Sequence, residues 1–164
     1  VEANGLKEKF ERMWLSRSVI SNVRIFRNLH PRAKHEISMM AERAIFTRGE
    51  YVFRQGGTSD DFYIITRGTA EVQRRDAQQK LRTIEHLNPG DFFGENVAMG
   101  YRIRRNASVL VTSDTLETMR LSGKDFRALA DKAPIMCHEL HLVMKERGLT
   151  NIPVVTRESA DSFN

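Results

Sequence analysis

The sequence predicts a mainly β fold, an antiparallel β-roll of the jelly-roll type with helices on both sides. Two observations carry this prediction. Short β-type runs separated by glycine turns fill the middle of the chain, and apolar residues recur at helical spacing at both ends. The chain has 164 residues, of which 40% are hydrophobic, so one domain with a proper core is expected.

The N-terminal part of the chain has the spacing of helices. Apolar residues from Leu6 to Val23 recur every three or four positions, which predicts a helix over residues 5–29. Pro31 suits the first turn of a helix, and the pattern that follows predicts a second helix to about Ala44.

The middle of the chain has the pattern of closely spaced strands. Glycines at positions such as Gly49 and Gly68 punctuate short runs rich in β-branched and aromatic residues, as turns between strands do. The predicted strands cover residues 44–46, 51–53, 62–65, 70–72, 81–84, 108–111 and 116–121.

Helical spacing returns near Phe126 and resumes after Pro134, stopping near Gly148. The remaining residues are polar and are expected to be loose. The predicted organisation is N-terminal helices over 1–44, a β-roll over 45–123, two C-terminal helices over 124–148 and a flexible tail over 149–164.

Composition limits the classes of function. With Cys137 as its single cysteine the chain forms no internal disulfide, and no apolar run approaches a membrane span, so we expect a cytoplasmic domain that does not insert into a membrane. The net charge of +5 comes without a long basic tract, which favours a small anionic ligand over nucleic acid. Motifs of hydrolases, nucleotide triphosphatases and zinc proteases are missing from the sequence, so we expect no enzyme, no metal and no cofactor.

One constellation carries a specific chemistry. Phe93-Gly94-Glu95 is followed ten residues on, counting from Glu95, by Arg105 ahead of a strand-like run. An arginine fork donates paired hydrogen bonds to a phosphate, and backbone amides after a glycine add further donors. An ionised glutamate only accepts hydrogen bonds, so Glu95 suits a sugar hydroxyl. The pattern predicts a site for a ligand that carries both groups.

This segment resembles the phosphate-binding cassette of the cyclic nucleotide-binding domain family, and the likeness covers about residues 15–148, with the cassette over 92–109. The resemblance implies that Glu95 binds the ribose 2′-hydroxyl and that Arg105 binds the cyclic phosphate, with the amides of Gly94, Val97 and Asn106 completing the phosphate cradle. It also implies that the last helix covers the purine. The expected ligand-binding residues are Phe93, Gly94, Glu95, Val97, Ala98, Arg105, Asn106 and Ala107, with Val143 and Arg147 as candidates for the cover.

The function that the resemblance implies is a sensor of cyclic nucleotide, with cAMP ahead of cGMP as the regulatory ligand. The chain would be the regulatory fragment of a larger protein such as a channel, a transporter or a kinase regulator, in the cytoplasm or on the cytoplasmic side of a membrane. Two departures from the family pattern stand out: the interval between Glu95 and Arg105 is one residue longer than in kinase regulatory subunits, and no proline precedes Arg105. Asn106, which can donate and accept hydrogen bonds, does not decide the base.

Two alternatives stay open. The chain could be a degenerate relative that keeps the fold as a protein interaction module, which the longer interval favours and the retention of Glu95 and Arg105 opposes. It could also be a DNA-binding regulator of the bacterial cAMP-receptor type. Sixteen residues follow Gly148, too few for a helix-turn-helix domain, so we expect no nucleic-acid partner.

Overall fold

The fold is built from two antiparallel sheets with helices around them. The computed structural model describes residue 5 and residues 19–146. Within that part of the chain, eight strands divide equally between two four-stranded sheets. The prediction of a β-roll with flanking helices is therefore confirmed.

Helices lie before β1 and after β8, and one short helix lies between β6 and β7. The strands are β1 Glu42–Thr47, β2 Tyr51–Phe53, β3 Phe62–Arg67, β4 Ala70–Arg75, β5 Leu81–Leu87, β6 Phe92–Phe93, β7 Ser108–Val111 and β8 Thr115–Leu121. The helices are α1 Pro31–Met40, α2 Glu95–Ala98, α3 Gly123–Lys132 and α4 Pro134–Glu146. The first sheet has the order β1-β8-β3-β6 and the second has the order β2-β7-β4-β5.

The N-terminal helix ends earlier than its apolar spacing predicts. Residues 19–22 are helical and residues 23–29 form a bend and turns, while residues 6–18 lie outside the described part. The amides of Val23, Phe26 and Leu29 each donate to a carbonyl three residues back, which is the pattern of tight turns. Ile25 and Phe26 are nevertheless buried, so the spacing reflects burial in the core and not continuous helix.

The second helix also stops before its predicted end. Pro31 takes the first position of α1 as expected, and the ring nitrogen of His30 accepts from the amide of Arg32. The helix ends at Met40 because Ala41 turns to extended backbone, and β1 starts at Glu42 instead of Ala44. Within residues 19–146, every helix falls short of the length and apolarity that a membrane span requires.

Two clusters of buried side chains hold the sheets and helices together. In the larger one, Phe62 of β3 stacks on Phe126 of α3 with 4.2 Å between ring centroids, which fixes α3 against the first sheet. In the smaller one, Tyr63 of β3 stacks on Phe93 of the neighbouring strand β6 at 5.1 Å between ring centroids, and buried residues of both sheets belong to this cluster. Such aromatic pairs add to the free energy gained from burial. The predicted helix end near Gly148 and the tail over 149–164 lie outside the described residues.

The turn between β3 and β4 depends on glycine. Gly68 has a φ of +94°, and a Cβ there would meet the Thr115 carbonyl oxygen and lie 2.6 Å from Ser113 Oγ. Gly68→Ala is therefore expected to lower the free energy of unfolding by about 2–5 kcal/mol, combining left-handed backbone strain with overpacking. Gly49→Ala is the matched control, because Gly49 has a φ of +85° and open space around it. Urea denaturation compares the two, and equal losses would refute the packing argument.

Candidate ligand-binding site

A cavity of about 250 Å³ lies against the second sheet, where residues of β2, β4, β5 and β7 face the start of α2. Seven of the ten residues expected to bind ligand line it: Phe93, Gly94, Glu95, Val97, Arg105, Asn106 and Ala107. The two sides of the cassette, residues 92–109, thus contribute to one cavity. The roles of these residues toward a ligand stay predictions.

The other three expected residues lie elsewhere. Ala98 is fully buried in the larger core cluster and Val143 packs in the same cluster, so neither lines the cavity. Val143 points inward because α4 uses that face to pack on the rest of the domain, together with Leu140 and Met136. Arg147 lies outside the described residues.

Gly94 shapes the start of α2. It is the N-cap residue, with a φ of +88°, and a Cβ there would lie 2.7 Å from the Asp61 carbonyl oxygen and 3.0 Å from Arg105 Nη1. Only glycine fits both the backbone conformation and this close approach. Glu95 follows directly as the first residue of α2 and is buried, with 4% of its surface exposed. The glycine therefore brings a carboxylate and the first amides of α2 to the wall of the cavity.

Arg105 is held in place by backbone carbonyls. Its Nη2 donates to the Asp61 carbonyl oxygen at 2.7 Å and its Nη1 to the Gly94 carbonyl oxygen at 3.1 Å. Its guanidinium carbon lies 3.9 Å from the centre of the Phe53 ring, a cation–π contact. Backbone bonds between Arg105 and the turn at Gly56-Gly57, both 2.7 Å, fix its main chain as well.

The buried guanidinium keeps unused capacity for an anion. Arg105 is only 3% exposed, and within the described residues its Nε has no hydrogen-bond partner. Burial lowers the pKa of Arg105, and Tyr63 and the carboxylates of Asp61, Asp60 and Glu95 oppose that shift. An arginine remains charged at neutral pH under such shifts. A buried charge that is bonded mainly to neutral carbonyls is stabilised by an anion that enters the cavity.

Several cavity residues were not predicted from the sequence. They are Phe53, Val72, Arg74, Ile84, Glu85, Asn96 and Val109. Arg74 donates through Nε to the Asn106 carbonyl oxygen at 3.2 Å, so it also holds the cassette. A signal existed on β4, where Val72 and Arg74 alternate with Gln73 and therefore share one face of the strand. Glu85 had no such signal because β5 is mostly exposed along its length.

The cassette is tied to both C-terminal helices. Arg127 of α3 donates to the Ala98 carbonyl oxygen at 3.1 Å and forms an ion pair with Asp60 at 3.3 Å. Tyr101 stacks beside His141 of α4, with its hydroxyl oxygen 3.2 Å from the ring Nε2. A displacement of the cassette would therefore act on α3 and α4 directly.

Comparisons with known proteins agree with this geometry. The family model of the cyclic nucleotide-binding domain matches residues 43–133. The cGMP-dependent protein kinase egl-4 of Caenorhabditis briggsae is 32% identical over 111 residues, which are 67% of this chain and 15% of the kinase. The cyclic AMP receptor protein of Thermus thermophilus is 27% identical over 123 residues, which are 75% of this chain and 56% of that protein.

The fold also matches solved structures. The regulatory domain of Toxoplasma gondii PKA, crystallised with cAMP, superposes with a TM-score of 0.74 at 22% identity. The superposition covers 83% of this chain and 51% of that one. This chain therefore spans about half or less of the length of these relatives. The matched family is a ligand-binding module that occurs within larger proteins, kinases among them. From the family match, the β-roll and the cassette together, the chain belongs to the cyclic nucleotide-binding domain family.

Proposed function

We propose that this domain binds a 3′,5′-cyclic nucleotide in the cavity of the cassette and thereby regulates a larger protein. The observation that carries the proposal is the buried guanidinium of Arg105, whose Nε is unpaired within residues 19–146, on the same cavity wall as Glu95. A cyclic phosphate is a permanent anion that matches the guanidinium, and the ribose 2′-hydroxyl matches the carboxylate of Glu95.

cAMP is favoured over cGMP as the ligand. Glu85 lines the cavity and is a hydrogen-bond acceptor when ionised. The edge of adenine that carries N7 also presents an amino donor, whereas the same edge of guanine presents two acceptors. A carboxylate that faces this edge of the base would support adenine and oppose guanine. The nucleotide acts as a regulatory ligand and not as a cofactor.

Regulation would run from the cassette to the C-terminal helices. A ligand shifts a conformational equilibrium only if it binds one arrangement better than the other, and a shift from 1:99 to 99:1 requires about 5.5 kcal/mol. The contacts Arg127–Ala98 and Tyr101–His141 link the cassette to α3 and α4, so they are candidates for the elements that respond. The regulated effector would be a channel, a transporter or a kinase in the cytoplasm or at its membrane.

A DNA-binding regulator is the second candidate, and the similarity to the Thermus thermophilus cyclic AMP receptor protein favours it. A gel shift with duplex DNA at several salt concentrations, with and without cAMP, separates the candidates. Retardation that requires cAMP and weakens steeply with salt would support the DNA-binding regulator. Unchanged mobility of the DNA supports a domain that regulates another protein.

Calorimetric titration tests the proposal directly. We expect cAMP to bind with a dissociation constant of about 1 μM or tighter, which corresponds to roughly 8 kcal/mol, and cGMP to bind more weakly. Two charge-assisted contacts of about 1.5–3 kcal/mol each supply much of that free energy. Binding of neither nucleotide at millimolar concentration would favour the interaction-module alternative, in which the fold serves without a ligand.

The role of Glu95 is tested with the 2′-deoxy analogue of cAMP. The wild-type domain should prefer cAMP over the analogue by about 10- to 100-fold, because a charge-assisted bond to the hydroxyl is lost in the analogue. In Glu95→Ala most of this preference should disappear, and Glu95→Gln, which keeps the size of the side chain, controls for packing. If the alanine variant still discriminates fully, another group reads the sugar.

A further inference from the structure

A second groove lies on the opposite side of β7, the strand that contains the last residues of the cassette. It has a volume of about 370 Å³ and is formed where β2 and β4 end and β5 and β7 begin. Its walls are polar and none of its lining residues is acidic; two of them, Arg54 and Arg75, are arginines. The function proposed above does not use this groove.

Both guanidinium groups are held in position. Arg75 donates through Nη1 to the Gln79 carbonyl oxygen at 2.9 Å. The guanidinium carbon of Arg54 lies 4.1 Å from the centre of the Tyr51 ring. Within residues 19–146 neither arginine forms an ion pair, although seven arginine–carboxylate pairs occur elsewhere in these residues. Two exposed guanidinium groups, each oriented by one contact, therefore line a groove that has no acidic residue in its wall.

The nearest acidic residue in the sequence does not neutralise the groove. Asp76 follows Arg75, but its carboxylate accepts from the amides of Gln78 and Lys80 and pairs with Arg82 at 3.1 Å. These contacts hold the pKa of Asp76 below its usual range and its carboxylate on the hairpin between β4 and β5. The charge of the groove is therefore positive at neutral pH.

We propose that this groove is a second anion site, which binds a phosphate monoester. Arginine forks match the geometry of phosphate oxygens and can donate two parallel bonds each, which a lone ammonium group cannot do. Gln55, Gln79 and Tyr51 also line the groove. The Gln55 side chain accepts from the Arg75 amide at 2.8 Å and the Tyr51 hydroxyl donates to Gln73 Oε1 at 3.3 Å, so the two guanidinium groups are the main donors for a ligand. The phosphate could belong to a phosphorylated side chain or to a free nucleotide, and the chemistry of recognition is the same.

The groove and the nucleotide cavity share one short segment of backbone. Within β7, Val109 lines the cavity and Ser108 lines the groove, because neighbouring residues of a strand face opposite sides. Asn106 and Ala107, which precede β7, also line the cavity. Ser108 Oγ accepts from the amide of Gln55 at 2.8 Å, which joins the groove wall to this segment. An anion in the groove would thus act on the main chain next to Arg105.

The test is a titration followed by amide chemical shifts in the full chain, with the nucleotide cavity saturated by cAMP in one series and left free in the other. The probes are inorganic phosphate, AMP, and a phosphoserine peptide beside its unphosphorylated form. We expect saturable shifts at Arg54, Arg75, Gln79 and Ser108 in both series. The double variant Arg54→Gln/Arg75→Gln should weaken the apparent affinity roughly 10- to 100-fold, since two charge-assisted contacts are lost.

Arg67→Gln is the control for Arg54→Gln and Arg75→Gln taken singly, because Arg67 is exposed on the first sheet and each of these substitutions removes one positive charge. It should leave the titration unchanged. Tighter binding of the phosphopeptide than of AMP assigns the groove to a phosphorylated protein segment, and the reverse assigns it to a free nucleotide. Shifts that do not saturate would overturn the proposal. An equal loss of apparent affinity in Arg67→Gln and in the double variant would overturn it as well. The series without cAMP keeps this result separate from the test of nucleotide binding.

Discussion

Replacing Arg105 with alanine is expected to raise the dissociation constant for cAMP by about 100-fold or more. The phosphate would lose two charge-assisted hydrogen bonds, each worth about 1.5–3 kcal/mol. The variant would also remove the side-chain donors to the carbonyl oxygens of Asp61 and Gly94, of which Gly94 keeps the Ala98 amide, so its stability must be measured beside its affinity. Calorimetry with cAMP gives the first quantity and urea denaturation the second.

Two further variants separate the causes. Arg105→Lys keeps the charge without the planar fork, so its affinity should fall between wild type and alanine. Arg104→Ala removes the neighbouring guanidinium, which is exposed and donates to the Gly56 carbonyl oxygen outside the cavity, and should bind cAMP nearly normally. A folded Arg105→Ala domain with wild-type affinity would show that the phosphate is bound elsewhere.

Gly94→Ala is expected to damage both the cassette and the fold. The new methyl group would lie 2.7 Å from the Asp61 carbonyl oxygen and 3.0 Å from Arg105 Nη1, so the hydrogen bonds that hold Arg105 must shift. The left-handed backbone adds about 1–2 kcal/mol of strain. We expect the affinity for cAMP to fall at least tenfold, since misplacing the guanidinium weakens its contact with phosphate.

Gly90→Ala is the control for backbone strain alone. Gly90 has a φ of +92°, close to that of Gly94, and nothing lies within 4 Å of a Cβ placed there. Its variant should lose stability but retain affinity for cAMP. Equal affinities of the two variants would mean that the close approach at Gly94 does not position Arg105.

Much of the β-roll is predictable because its strands are short and end at glycine turns. The bounds predicted for β2 and β7 agree with the structure. The bounds predicted for β1, β3, β4, β5 and β8 differ from it by a few residues at one or both ends. β6 was missed because Phe92 and Phe93 alone form it, and two residues show no alternation. The spacing places the end of the N-terminal helix too late, because Ile25 and Phe26 are buried in the core although they lie in turns.

The ligand site is predictable only where residues are close in sequence. Glu95 and Arg105 belong to one cassette, so their spacing indicates a joint role. Arg74 and Glu85 reach the cavity from β4 and β5 through the pairing of distant strands, and only the fold brings them there. Val143 has the helical spacing of a residue that covers a ligand, but the same spacing serves the core, where the structure places it.

A crystal structure of the domain with cAMP would show where the nucleotide binds. We expect the guanidinium of Arg105 to contact the phosphate oxygens and the carboxylate of Glu95 to accept a hydrogen bond from the ribose 2′-hydroxyl, with both ends of the nucleotide in one cavity. Cyclic nucleotide bound at another surface, with Arg105 and Glu95 making no contact to it, would show that the cassette is not the nucleotide site.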